Sequence, residues 1–458
     1  MISRWLGALA LLFSTTSGHA GPVLLISIDG LRPDDLIKAN ERGLKLPNLR
    51  KFLSDGAHAR AVIGVLPTVT YPSHTTLLTG VSPSRHGIVG NTTFDPLNIN
   101  QGGWYWYAED IKVPTLWDAA RAKGLTVGNV HWPVSVGAKS ITWNLPQLWR
   151  TGHPDDEKLN RALATPGLLP ELEGKLGRYA RGIDEDIDSD ETRGRFAAAL
   201  LLTKHPDFTT VYLTAYDHDQ HRFGPDTPEA HATIERIDAI VGRLLIAARA
   251  TRPDITIAIV SDHGFAATTT EASLYRSFID AGLITIGADD KIATWDAVPW
   301  NSGGSIAIVL ARPDDAVLAK KVRTLLEMLA APSNSFIARV INQAEIEKIG
   351  GNSQAQFYVD LKPGYVAGGF DGANTSATRP AKYKGMHGYF PVAATMRSTF
   401  VITGPGVSVG RDLGEIDMRA IAPTLAQVLG FTLANADLAP LTLGNRSKGS
   451  VRASCPRS

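Results

Sequence analysis

The chain has 458 residues, 44% apolar and 20% charged, with a formal net charge of +1. That composition suits a soluble protein with a large core and excludes disordered and fibrous classes. The balanced charge gives no electrostatic basis for binding duplex nucleic acid or an anionic membrane, although a small charged ligand needs only local charge.

In chain order, the first feature is an address. Arg4 precedes an apolar run from Trp5 to Phe13, and small residues close the segment at Gly18-His19-Ala20. A basic start, a short apolar stretch and small residues before a cut predict a signal peptide over 1–20. The run is too short to span a bilayer, and no later stretch reaches the roughly 18 apolar residues that a membrane helix needs. Export to the periplasm or beyond the cell is expected, with a mature chain starting near Gly21. The single cysteine, Cys455, sits in the tail and has no intramolecular partner.

Val23 to Ile28 reads as a buried parallel strand ending at Asp29-Gly30. A helix is predicted from Pro114 to Lys123, and a strand from Leu125 to Val130. The same rhythm returns as a strand from Phe208 to Thr214, a helix from Pro228 to Ala250 and a strand from Ile255 to Val260. Near the end, Met418, Ile421, Leu425, Val428 and Leu429 share one helical face before Gly430. Alternating strands and helices predict an α/β fold, a mostly parallel sheet with helices on both faces. Residues 21–443 form the expected catalytic domain. Within it, 265–385 holds short strand-like runs (Ser305 to Leu310, Gln356 to Leu361) that suggest an inserted cap subdomain. From 444 to 458 the chain is a polar, basic tail.

Ligands of such folds gather at the carboxyl ends of strands, where Asp29, Asp217 and Asp262 all fall. Three further clusters accompany them: Asp217 to His221, Ser261 to Phe265, and Lys384 to Tyr389 around His387. Carboxylates and imidazoles in this number suit zinc, and two metals roughly 4 Å apart supply what phosphate-ester hydrolysis needs. The hydroxyl-rich segment Pro67 to Thr76 precedes a helix. A hydroxyl there is ordinarily a cap, and becomes a nucleophile when a metal lowers its pKa.

The ordered set Ile28-Asp29-Gly30, Pro67 to Pro72, Ser84 to Asn91, Asp217 to His221, Ser261 to Gly264 and His387-Gly388-Tyr389 resembles the nucleotide pyrophosphatase/phosphodiesterase family of the alkaline phosphatase superfamily. The resemblance implies a zinc held by Asp29, Asp262 and His263 that also binds Thr70, the nucleophile of a covalent phosphothreonine intermediate. It implies a second zinc held by Asp217, His221 and His387. Asn91 would hydrogen-bond a phosphoryl oxygen beside the Thr70 backbone N–H. Tyr71 and Tyr212 would offer aromatic faces to a base. The substrate expected is a small phosphodiester or nucleotide. A phosphomonoesterase or phosphonate hydrolase of the same superfamily, and a catalytically inactive binding protein, are the alternatives. A sulfatase would need Cys or Ser where Thr70 stands. The chain departs from the family at Gln220, Ser73 and Thr214-Ala215-Tyr216, all close to the expected pocket.

Overall fold

The computed structural model describes residues 20–100, 103–148, 155–179, 185–372 and 376–444. The expected leader therefore lies outside the described residues except for Ala20, and so does the tail beyond 444 with Cys455.

The core is an eight-stranded sheet. Its strands in chain order are β1 (Val23–Ile28), β2 (Ala57–His58), β3 (Val127–Val130), β4 (Trp143–Leu145), β5 (Phe208–Leu213), β6 (Thr256–Val260), β7 (Phe400–Thr403) and β8 (Arg411–Asp412). Across the sheet they run β8-β2-β7-β6-β1-β5-β3-β4, and only β7 opposes the common direction. Every residue of β1 is buried. Such a strand lies under helices on both faces, which is why it reads as one continuous apolar run. Leu24, Ile26 and Ile28 pack on one side, with Phe196, Ile237, Ile240 and Leu244. Val23 and Leu25 pack on the other, with Leu77, Leu78, Ile421 and Leu425.

Register converts this sheet into a platform. Ile28 pairs with Leu213 of β5, and Ser27 pairs with Val260 of β6, all in parallel. Asp29 thus leaves its strand level with Thr214 and beside Asp262. Helix α1 (Thr70–Thr79) is buried along its whole length. Helix α2 (Ile187–Lys204) packs against the long helix α3 (Pro228–Thr251) beneath the sheet.

Several elements are shorter than their sequence signals. The helix expected over 114–123 covers Leu116–Ala122 because Thr115 and Asp118 cap it reciprocally. The strand expected from Leu125 starts at Val127, after Gly124 at φ +78°. The terminal helix opens as a 3₁₀ turn, Met418–Ala420, and continues as Ile421–Val428.

Between β6 and β7 the chain builds a second, antiparallel sheet in the order Ala297–Ser302, Ser305–Leu310, Phe357–Leu361, Ile337–Asn342. The helix Ala316–Ala330 covers it through Leu318, Val322 and Leu326. A ribbon around Ala266–Ala272 joins this part to the main body. No helix among the described residues is long and apolar enough to cross a membrane.

One buried ion pair serves the site directly. The helix Ala215–Phe223 begins with orphan backbone donors, as every helix does. Asp190 accepts two of them, from Thr214 (2.9 Å) and Ala215 (2.8 Å). Arg193 bonds Asp190 at 2.8 Å and the Thr214 hydroxyl at 3.0 Å, and neither charged side chain is exposed. Arg193→Met should therefore lower unfolding free energy by about 3–5 kcal/mol, because it strands a buried carboxylate. Denaturant unfolding showing a loss below about 1 kcal/mol would contradict this account.

Candidate active site

The sheet edge delivers five of the expected ligands and a loop delivers the sixth. Asp29 follows β1, and Asp262 and His263 follow β6. Asp217 and His221 lie one turn apart on the helix Ala215–Phe223. His387 sits in the loop after the Gly385–Met386 strand. Here glycine is required. Gly388 has φ +87°, and a Cβ would stand 1.8 Å from the Ser302 carbonyl oxygen of the second sheet. Gly304 N–H also bonds the His387 carbonyl at 2.8 Å, so the second sheet holds this ligand in place.

Each imidazole is oriented by a backbone carbonyl. Nδ1 of His221 donates to Gly385 O (2.9 Å), that of His263 to Gly264 O (3.1 Å), and that of His387 to Thr68 O (3.1 Å). All three Nε2 atoms therefore turn their lone pairs inward, the arrangement that metal-ligating histidines adopt. His263 Nε2 stands 3.3 Å from Asp29 Oδ1 and 3.1 Å from Asp262 Oδ2. Asp217 reaches His221 Nε2 at 3.3 Å and His387 Nε2 at 3.7 Å.

Two compact donor groups result, Asp29–Asp262–His263 and Asp217–His263–His387, each with its ligand atoms within 4.8 Å of one another. The first is the set expected from the sequence. The second differs by taking His263, because the His387 ring lies flat on His263 at 3.6 Å between centroids. His221 adjoins this group through Asp217.

The electrostatics fit cations. Asp29 Oδ1, Asp217 Oδ1, Asp262 Oδ2 and His263 Nε2 are buried without a hydrogen-bond partner. Burial, with Asp217 and Asp262 nearby, pushes the Asp29 carboxyl well above the usual range. Burial and Asp217 push Asp262 up to about 7. Burial would raise Asp217 too, but the His221, His387 and His263 imidazoles hold it below the usual range. Crowded acids with unspent oxygens are unstable as a bare set, and a dication relieves them. Nitrogen and carboxylate donors suit zinc.

Thr70 is the first residue of α1, preceded by Val69 in extended conformation, and is 8% exposed. His74, one turn on, is fully buried. It bonds Thr70 O and Ser27 Oγ, both at 2.8 Å, and burial holds it neutral with a pKa of about 3. The Asn91 side-chain oxygen accepts Tyr71 N–H at 2.9 Å, which leaves its amide nitrogen as the donor. His86 ties this loop to α1 through Thr76 (3.0 Å). Thr70 and Asn91 line one cavity of about 730 Å³ together with Asp29, Asp217, His221 and His387.

The tyrosines occupy positions other than those expected of base platforms. Both touch the cavity wall, yet each is only 1% exposed. Tyr71 is covered by Trp104, with centroids 5.3 Å apart. Tyr212 is enclosed by His74 (4.5 Å) and His131 (5.9 Å), and its hydroxyl donates to Asp29 Oδ2. Its face is spent on packing and its phenol on a carboxylate. The aromatic surfaces open to the cavity are instead Trp104, Trp300 and Tyr383. The run Trp104-Tyr105-Trp106-Tyr107 was the available sequence signal for the first of these.

The departures from the family pattern are also structural. Gln220 is buried and donates to Gly30 O at 3.1 Å, fastening the Asp29 turn to the ligand-bearing helix. Gly30 has φ +67°, and a Cβ there would meet the Gln220 amide at 2.8 Å. Thr214 and Ala215 are the groups that Asp190 caps, and Tyr216 bonds Asp35 at 3.0 Å. Ser73 is buried behind Thr70.

A parallel α/β platform with clustered acids and imidazoles at its strand ends places them where open α/β sheets bind ligands. The profile of the type I phosphodiesterase / nucleotide pyrophosphatase family matches residues 23–390, and the chain belongs to that family. An uncharacterised pyrophosphatase/phosphodiesterase of Schizosaccharomyces pombe is 29% identical over 262 residues, 55% of this chain and 46% of that protein. Human ectonucleotide pyrophosphatase/phosphodiesterase family member 1 is 27% identical over 250 residues, 53% of this chain and 23% of that protein. The matched stretch thus spans less than half the length of either relative. Human ectonucleotide pyrophosphatase/phosphodiesterase 5 shares the fold, with a TM-score of 0.63, 21% identity, and coverage of 93% of this chain and 97% of that one.

Tyr212→Phe removes the phenol that braces Asp29 while leaving the ring packing intact. Metal retention against a chelator should weaken about 10-fold or more, as is usual for partners of ligands. KM for a nucleotide diester should hold; a raised KM with unchanged metal retention would return Tyr212 to a role in base stacking.

Proposed function

We propose that the chain is an exported two-zinc hydrolase that cleaves phosphodiester or pyrophosphate bonds of nucleotides through a phosphothreonine at Thr70. The observation that carries this reading is convergence. The unpartnered atoms of Asp29, Asp217, Asp262 and His263 fall within two compact donor groups, and Asp29 and Asp217 line the same cavity as Thr70 and Asn91.

In this reading Asp29, Asp262 and His263 hold one zinc, and Asp217, His221 and His387 hold the other. When bound, the two ions would neutralise the phosphate, lower a hydroxyl pKa and stabilise the departing oxygen. The chain's own residues do the rest. Thr70 Oγ, as its alkoxide, forms a bond to phosphorus while the bond to the leaving oxygen breaks on the opposite side. The phosphoryl group, still carrying its nucleoside, remains on Thr70 until water cleaves it and restores the hydroxyl. The Asn91 amide and the Thr70 backbone N–H donate to the phosphoryl oxygens as charge builds. His74 anchors the first turn of α1 without exchanging a proton, since burial keeps it neutral. The second sheet, within 265–385, acts as the cap that contributes Trp300 to the cavity wall. The leader over 1–20 and the likeness to an ectoenzyme support export.

Thr70→Ala should fold normally and lose nearly all turnover, and Thr70→Ser should keep part of it. Acid quenching should trap a nucleoside-phosphoryl group on Thr70 in the wild type. An active Thr70→Ala protein would remove the covalent route.

Elemental analysis of gently purified protein should find two zinc equivalents, and chelation should abolish activity reversibly. Full activity with one metal or none would refute the dinuclear site.

A further inference from the structure

The nucleophile and the last metal donor come from segments far apart in the chain. Thr70 opens α1, whereas His387 lies on a loop seated against the second sheet. Bond formation and bond cleavage take place on opposite sides of one phosphorus, so the two segments must keep a fixed separation. A misplacement of about 1 Å in such a site costs on the order of 10²-fold in rate.

Thr68 is where the two segments meet. It stands two residues before Thr70 and is fully buried. Its hydroxyl donates to the Tyr389 carbonyl at 2.6 Å, and its own carbonyl accepts His387 Nδ1–H at 3.1 Å. The two bonds run in opposite directions and bracket Gly388, so they fix both the place of the loop and the angle of the ring. One bond alone would leave the loop free to turn about it. Other bonds of this loop lead away from the nucleophile. Gly304 N–H donates to His387 O at 2.8 Å, Ser305 Oγ to Gly388 O at 2.6 Å, and the Tyr389 phenol to Tyr365 O. The chemistry of the position also calls for a role. Val65, Leu66 and Val69 beside it are buried and apolar, and a valine at 68 would fill the same space. Burying a hydroxyl instead is unfavourable unless the bond it makes offsets the loss of water.

We propose that Thr68 is a positioning residue, whose hydroxyl and carbonyl together hold His387 at the separation from Thr70 that in-line transfer requires. This rests on the reading of Thr70 as nucleophile and His387 as metal donor. It adds the residue that sets their spacing.

Thr68→Val keeps the shape and removes the hydroxyl, while Thr68→Ser keeps the hydroxyl. Thr68→Val should release metal to a chelator about tenfold or more faster than the wild type, and its kcat for a nucleotide diester should fall by a similar factor. KM should stay within about twofold, because no contact to bound substrate is removed. Thr68→Ser should remain close to the wild type in all three. Amide hydrogen exchange across 387–390 should quicken in Thr68→Val and not in Thr68→Ser. Where the valine protein folds poorly, Thr68→Ala takes its place, since it differs from Thr68→Ser by the hydroxyl alone. Unchanged metal retention and kcat in Thr68→Val overturn the assignment. So do equal losses in the valine and serine proteins, which trace the effect to packing, or a raised KM with kcat held. A wild type that holds no metal would sink the dinuclear reading, and exchange would still decide the role of Thr68. Faster exchange in the valine protein alone sustains the clasp, and equal exchange in all three overturns it.

Discussion

Three carboxylates crowded into one buried cluster are the constraint on which the rest of the structure depends. Asp29, Asp217 and Asp262 repel one another, and burial deepens the conflict for each. A chain that only needed to be stable would replace them with apolar side chains. Keeping them together requires rigid supports, and the fold supplies these from several directions. Parallel register sets Asp29 beside Asp262. Asp190 and Arg193 cap the helix that presents Asp217. Gln220 binds that helix to the Asp29 turn. Asp190 is buried with both oxygens engaged, by Arg193 and by the Thr214 and Ala215 backbone N–H groups, so repulsion at the site is met by order around it.

The two sheets divide the labour. The parallel sheet fixes donors through strand ends, where backbone freedom is smallest. The antiparallel sheet reaches across the cavity and seats His387 by close backbone approach at Gly388. It also contributes Trp300 to the wall. Five of the six expected donors thus stand on the regular parallel half of the molecule, while His387 and the lining aromatics Trp104 and Trp300 come from loops and the insertion. Such an arrangement lets ligand preference change without disturbing the metal donors.

Much of this was legible from residues alone, and the reason is physical. A parallel strand buried on both faces must be a continuous apolar run, so β1 and β6 announced themselves together with the polar residues at their ends. Short spacings such as Asp217 to His221 are readable because a helix fixes them. What escaped was orientation. Tyr71 and Tyr212 stand near the site in sequence and in space, but a sequence does not say whether a ring faces a cavity or is covered. Trp104 covers the first, and His74 and His131 enclose the second. The role of Gln220 was equally illegible, since it depends on a partner far along the chain. Gly30 lies 190 residues from Gln220.

The placement of His387 has a consequence for how the protein comes into being. Its ring is steadied by the Thr68 carbonyl, 319 residues earlier in the chain. The donor set therefore cannot be complete on a nascent chain until synthesis has passed residue 387 and the antiparallel sheet has formed. Contacts this distant in sequence form late, after the cost of closing a long loop has been met. Until then the acids at the strand ends sit in a half-built, solvated cleft, where water screens their mutual repulsion. Completion of the last loop turns that cleft into a closed donor set, so the mutual repulsion of the acids is felt in full only when folding is nearly done.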